Sequence, residues 1–313
     1  MIDFAGKRYW YFLLSAIIII PGIISLIVFG LKAGSDFKGG TDMTLRITPA
    51  IEQSKLRDVL TTLGYSDAVI QTTGEGDFLL RFRGDLTDNR QQITQAITTA
   101  TNSSVAILDF GTVSPAVASQ TARYAIIAVI IAAVGILLYI TFAFRHMPNP
   151  FRWGTCAVIA LLHDVLVVVG IFSILGWAAG VEVDALFITG MLTVAGYSVH
   201  DTIVVFDRIR ENLTKGVSNN FEEVVNYSIL QTMARSLNTS LTVLFVLLAL
   251  FLFGGTTIHY FTLVLLIGVT TGTYSSVCNA SQLLIVWDAK EWGRLIGRKP
   301  QSKLEPAAAA KGR

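Results

Sequence analysis

Residues 185–206 read ALFITGMLTVAGYSVHDTIVVF. The stretch carries one acid, Asp201, and no Lys or Arg. A helix needs about 20 predominantly apolar residues to cross a bilayer, and this one has the length. An aspartate well inside such a span costs roughly 2.5–3.5 kcal/mol on insertion scales and by default marks an ion or proton path. The segment therefore predicts a membrane bundle with a working acid inside it.

Five more stretches have the same character, at 10–31, 124–144, 153–177, 237–255 and 260–287. The 313 residues are 52% hydrophobic and 15% charged, with mean hydropathy +0.59. A soluble domain has about 25% charged residues, so a soluble enzyme is excluded, as is a disordered chain. The net charge of +2 does not indicate a nucleic-acid binder. Cys156 and Cys278 stand far apart in apolar stretches and read as buried free thiols. The first span follows Lys7 and Arg8 and is too long for a signal-peptide core, so it reads as retained.

Lys and Arg set the orientation. Arg145 and Arg152 follow span two; Arg208, Arg210, Lys215 and Arg235 follow span four; the tail 288–313 is strongly basic. Links 178–184 and 256–259 have no Lys or Arg. Both termini are thus expected in the cytoplasm, with residues 32–120 outside.

That outer segment alternates in residues 42–48, 67–73, 77–83 and 105–113 and shows helical spacing in 51–63 and 86–100. The order βαββαβ predicts a ferredoxin-like α+β domain. Eight basic against ten acidic residues, and neither His nor Cys, fit a binding or mechanical module better than an enzyme. On the other side, Asn219 with Glu222 reads as an N-cap with a partial capping box. The stripe Phe221, Val224, Val225, Ile229 and Met233 predicts a separate amphipathic helix over 219–233. It is expected to lie along the membrane surface or beneath the bundle.

By these boundaries the spans hold two acids, Asp164 and Asp201, and no base. Asp164 lies about 16 Å in from Trp153, near the midplane; Asp201 lies about 7–8 Å from the cytoplasmic end. Desolvation disfavours the charged form of a carboxyl, which suits a group that takes up and releases a proton. A hydrogen-bonded packing role is the alternative. Each acid follows a histidine, His163 and His200, whose side chain points about 100° away on the helix; each is a proton-relay residue or simply polar. Gly190 and Gly196 permit close approach of a neighbour. Asn238, Thr239, Ser240, Thr242, Thr270, Thr271, Thr273, Ser275 and Ser276 line a hydrated seam or serve as small packing residues. No P-loop, HExxH or GxGxxG-after-strand motif is present.

Ser35-Asp36-Phe37-Lys38-Gly39-Gly40-Thr41 resembles the DFxGGT signature of the SecD/SecF family of bacterial protein-export membrane subunits. His163-Asp164-Val165, the run from Gly196 to Asn212, Phe253-Gly254-Gly255 and Ile267-Gly268-Val269 resemble, in order, later spans of its SecF branch. The resemblance implies an RND-type half-transporter of six spans with a small extracytoplasmic domain. It also implies a place in the bacterial cytoplasmic (inner) membrane, proton flow as energy source and no cofactor. The expected partners are a SecD-type subunit, a SecYEG-type channel, exported unfolded polypeptide and membrane lipids. The fourth-span aspartate of the family maps to Asp201. The expected function is an auxiliary, non-enzymatic subunit that uses the proton-motive force for late-stage export and release. An RND-like exporter half for small molecules or lipids is the rival. Asp36, Phe37, Gly39, Gly40 and Thr41 mark the link to the domain and, with Gly34, its expected hinge, since glycine accepts unusual backbone angles. Acids without a base in the membrane predict a cation from a second subunit.

Overall fold

The computed structural model describes residues 3–72 and 76–289. Helix α1 (Arg8–Phe29) is apolar on nearly every face and carries Pro21 in its interior. After it come a short α2 (Ser35–Lys38) and β1 (Gly40–Thr48), then α3 (Gln53–Thr62), β2 (Val69–Thr72), β3 (Phe78–Phe82), α4 (Arg90–Thr101) and β4 (Ser104–Val113). Helix α5 (Pro115–Ala143), α6 (Pro150–Ala179), α7 (Ala185–Thr214) and α8 (Phe221–Phe253) follow. Helix α9 (Thr256–Ser275) continues through a π turn (Ser276–Ala280) into α10 (Ser281–Asp288). Among the described residues, six helices are long and apolar enough to cross a membrane: α1, α5, α6, α7, α8 and the α9–α10 rod.

The segment between α1 and α5 forms an antiparallel sheet of order β2-β3-β1-β4. Side chains alternate across a strand, so Met43, Leu45 and Ile47 of β1 all point to one face and are buried. There they meet Leu56 and Leu60 of α3 and Ile93 and Ile97 of α4. The pairing of β1 with β4 shifts register between Thr44 and Leu45. Arg46 clamps Asp77 through Nε–Oδ1 at 2.8 Å and Nη2–Oδ2 at 2.7 Å, and this bond holds the Asp77 carboxyl below its ordinary value. Strands β2 and β3 pair antiparallel with Thr72 opposite Phe78; residues 73–75 between them lie outside those described.

Two boundaries differ from the sequence reading. Helix α5 starts at Pro115, capped by the Ser114 hydroxyl, well before the apolar span expected from 124. The amphipathic helix over 219–233 is not separate: it is the first half of α8. Its cap is Asn220 rather than Asn219, with the side-chain oxygen accepting from Glu222 N at 3.0 Å. Val224, Val225 and Ile229 pack into the bundle core with Trp153, Phe206 and Ile209. The apolar stripe simply continues into the next span, and nothing between Phe221 and Phe253 stops the helix. The basic tail beyond Ala289 lies outside the described residues.

Helices α1 and α6 touch backbone to backbone at Gly22 and Gly170. A methyl group on Gly170 would lie 2.7 Å from Gly22 Cα, and one on Gly22 would lie 2.8 Å from Gly170 Cα. Backbone cannot yield as a side chain does. Gly170→Val is expected to force α1 and α6 apart and destabilise the protein by about 1–3 kcal/mol, read as a lower melting temperature in detergent. Gly135→Ala, which opens onto free space, is expected to leave the melting temperature unchanged; equal behaviour of the two variants would refute the close contact.

Candidate functional site

Asp164 sits on α6 with none of its surface exposed. Burying a carboxyl among apolar helices is tolerable only where donors replace water. Three surround it. Ser198 Oγ of α7 donates to Oδ2 at 2.5 Å, and Ser275 Oγ at the end of α9 donates to the same oxygen at 2.7 Å. His163 Nδ1 lies 3.0 Å from Oδ1. Its other nitrogen, Nε2, lies 3.0 Å from Ser15 Oγ on α1, which receives a bond from Asn279 Nδ2 at 3.0 Å. With the proton on Nδ1, His163 donates to Asp164 and accepts from Ser15, which accepts from Asn279, giving a directed chain Asn279–Ser15–His163–Asp164. The offset of 100° between His163 and Asp164 thus does not separate them: the imidazole is long enough to turn back to the carboxylate.

The π turn belongs to this site. All five of its residues are buried. Ser276 donates to Gly272 O and to Ser198 O and lies 2.9 Å from Thr202 Oγ1, while Asn279 reaches α1. π turns inside α-helices recur at functional sites.

Asp201 on α7 is 7% exposed. Ser236 Oγ of α8 donates to its Oδ1 at 2.6 Å. Its Oδ2 is buried and has no hydrogen-bond partner among the described residues. One turn away, Tyr197 donates to Ser240, which lies 2.6 Å from Thr273 Oγ1. The two acids are thus solvated differently, one fully and one by half. His200 is exposed and joins neither network. Helix α7 shows the surface Thr189, Thr193, Gly196 and His200, all exposed.

Arg235, assigned from sequence to the link after span four, is helical: it lies in α8, about 21 Å from its start, exposed and next to Ser236. Of the expected small polar residues, Ser240, Thr273, Ser275 and Ser276 join the networks, whereas Asn238, Thr239, Thr242 and Thr270 face outward. Ser15, Ser236, Tyr274 and Asn279 were not foreseen; a lone Ser or Asn in an apolar run carries no signal until the opposing helix is known. Close helix approach uses Gly190 against Val264, Gly268 against Val194 and Gly272 against Ser198, but Gly196 faces open space. Both cysteines are free and buried.

The segment after α1 is a welded joint. Gly34 N donates to Val183 O at 2.8 Å and Val183 N to Lys32 O at 2.8 Å. Asp36 Oδ2 accepts from Ala185 N, at the start of α7, at 2.8 Å. Phe37 packs with the cluster around Val168, Phe172 and Val183. Gly39 has φ +78°, and a methyl group there would press on Pro115 and Val113 O at 3.1–3.2 Å. On Gly40 it would fall 2.3 Å from Phe82 O. Thr41 is fully buried, donating to Gly84 O at 2.8 Å and accepting from Leu86 N at 3.1 Å. Here Gly39 serves close approach of the linker to the start of α5, and Gly40 close approach to β3 within the sheet.

Arg81 of β3 completes the joint, reaching Glu182 Oε2 at 2.6 Å and Asp42 Oδ2 at 3.5 Å. Burial disfavours its charge, but Asp42 and Glu182 outweigh burial and hold the guanidinium above its ordinary value. Burial pushes the Asp42 carboxyl up, with Arg81 and Ser35 pulling it back. Burial likewise raises Asp184, which caps α7 through Phe187 N at 2.9 Å.

The family model for the C-terminal part of the protein export membrane proteins SecD/SecF matches residues 93–290. The chain belongs to the SecD/SecF family, in its SecF branch. It is 48% identical to protein translocase subunit SecF of Thermobaculum terrenum over 99% of this chain and 100% of that one. It is 34% identical to protein translocase subunit SecDF of Bacillus subtilis over 92% of this chain. The crystal structure of SecDF from Thermus thermophilus, a translocon-associated membrane protein, superposes with a TM-score of 0.82 at 33% identity over 92% of this chain. The chain spans only about two fifths of these SecDF chains, 38% and 39%.

Removing Arg81 leaves Glu182 nearly buried with only Lys32, 3.4 Å away. Arg81→Ala is expected to loosen the joint, raising amide hydrogen exchange in β3 and in residues 180–184 at least tenfold, as breaking a buried pair costs about 3–5 kcal/mol. Unchanged exchange at both places would show that the backbone bonds alone hold the domain.

Proposed function

We propose that the chain is the proton-coupled half of a protein-export accessory complex, working with a SecD-type subunit and a SecYEG-type channel. It sits in the bacterial cytoplasmic membrane with both termini cytoplasmic, and the sheet domain, a ferredoxin-like unit, lies on the extracytoplasmic side. There it assists late-stage movement and release of exported unfolded polypeptide.

The observation that carries the proton role is Asp201 Oδ2, buried without a hydrogen-bond partner among the described residues. An ionised carboxylate with a bare oxygen in an apolar bundle is costly. A proton, or water during passage, is the natural occupant of that position. Asp164, with three donors converging on it, suits a held charge that a proton visits through His163.

A SecD-type partner is supported by the fused SecDF relatives and by the outer face of α7. Thr189 and Thr193 bond back to their own helix, but the exposed His200 imidazole finds no partner among lipid tails. Another helix supplies one, and Gly196 lets it come close.

One charge crossing 100 mV releases about 2.3 kcal/mol, enough to shift a two-state equilibrium roughly fiftyfold. The domain swing that this energy drives has to open the Arg81–Glu182 pair. In liposomes holding the chain, a SecD-type subunit and the channel, Asp201→Asn is expected to assemble normally. It is expected to lose all gradient-dependent stimulation of export, and Asp164→Asn part of it. Full gradient-driven export in Asp201→Asn would defeat the proton assignment; wild-type behaviour of Asp164→Asn would leave Asp164 a purely structural acid.

A further inference from the structure

We propose that the crevice between the ends of α1 and α6 binds the phosphate of an anionic phospholipid headgroup. It has a volume of about 470 Å³ and lies at the end of the bundle that carries the sheet domain. Lys32 and Lys38 line it, and no carboxylate is among its lining residues. Neither ammonium is firmly engaged. Lys32 Nζ stands 3.4 Å from Gly180 O and 3.4 Å from Glu182 Oε1, and Glu182 is taken more closely by Arg81 at 2.6 Å. Lys38 is exposed and has no ion pair among the described residues. Two lysines around one recess attract a group with negative charge. Gly176 and Gly180 form part of its wall, where Lys32 lies close: a methyl group on either would stand 3.4 Å from the lysine side chain.

The apolar surroundings identify the source of the phosphate. Trp177 and Phe29 stack with centroids 4.9 Å apart and 21° between planes, and both rings are more than half exposed. They stand at the last turns of two apolar helices, where aromatic side chains favour the bilayer interface. A free phosphate ion has no use for an exposed ring pair at the bilayer interface; a phospholipid does. Simple snorkelling of lysine towards headgroups makes no distinction between lipids. A recess lined by two lysines, one of them sharing Glu182 with Arg81, selects a headgroup of net negative charge over a zwitterionic one whose own cation faces the lysines.

The test uses the full chain purified in mild detergent. Native mass spectrometry reads retention of dioleoyl phosphatidylglycerol against dioleoyl phosphatidylcholine, with inorganic phosphate as competitor. The wild type is expected to keep one phosphatidylglycerol in preference to phosphatidylcholine. Lys38→Gln and Lys32→Gln are each expected to weaken that preference about fivefold, Lys38→Arg to preserve it, and Lys55→Gln on α3 to leave it unchanged. Trp177→Ala is expected to weaken lipid retention. Equal retention of the two lipids by the wild type, or full preference in the Lys32→Gln/Lys38→Gln double variant, overturns the site. Displacement of the lipid by millimolar phosphate, with Trp177→Ala having no effect, overturns the lipid assignment in favour of a free phosphate.

Discussion

A carboxyl group placed among apolar helices has to be solvated by the protein itself, and Asp164 shows how much of the bundle that demand organises. Its partners come from α6, α7 and the end of α9, and through His163 and Ser15 the network extends to α1 and Asn279. Four of the membrane-spanning rods are thus joined by one buried acid. In a bilayer, apolar contact between helices has little advantage over contact with lipid, so small-residue packing and polar bonds of this kind carry much of the specificity. The backbone contact of Gly22 with Gly170 is the packing counterpart on the same α1–α6 pair.

Asp201 is the informative contrast. It lies on α7 three residues from Ser198, which serves Asp164, yet among the described residues only Ser236 donates to it. A fully bonded acid holds a structure together; a half-bonded one keeps one buried oxygen without a donor among the described residues. Thr202 and Ser276, bonded to each other beside Ser198 O, tie the helix of Asp201 to the π turn of the Asp164 network. A change of charge at one acid therefore acts on packing shared with the other, the condition for coupling between sites.

At the opposite end of α6, the same logic recurs in an ionic form. Arg81 balances Asp42 and Glu182 where the sheet domain meets the bundle, and Asp36 caps α7 from the segment before the first strand. The helix that carries Asp201 thus begins at a residue bonded directly to the domain linker. Domain position and the state of α7 are mechanically linked by that contact.

Much of this was legible in the amino-acid order because bilayer physics reads local composition. Six long apolar runs, the βαββαβ pattern and two acids in membrane segments need no knowledge of neighbours, and the motif around Gly39 and Gly40 carried a family resemblance. Helix ends and partners were not legible. The continuity of α8 erased the separate helix over 219–233 and placed Arg235 within a helix rather than a link, because an apolar stripe does not announce whether a turn interrupts it. Ser15, Ser236 and Asn279 gained meaning only from the acid or histidine on a different helix. His163 and His200 look alike in sequence, each preceding an aspartate; one is turned inward to Ser15 and the other faces outward. A single chain specifies which groups are costly to bury, but only the packing of helices against one another decides which of them are satisfied and which keep a bare oxygen.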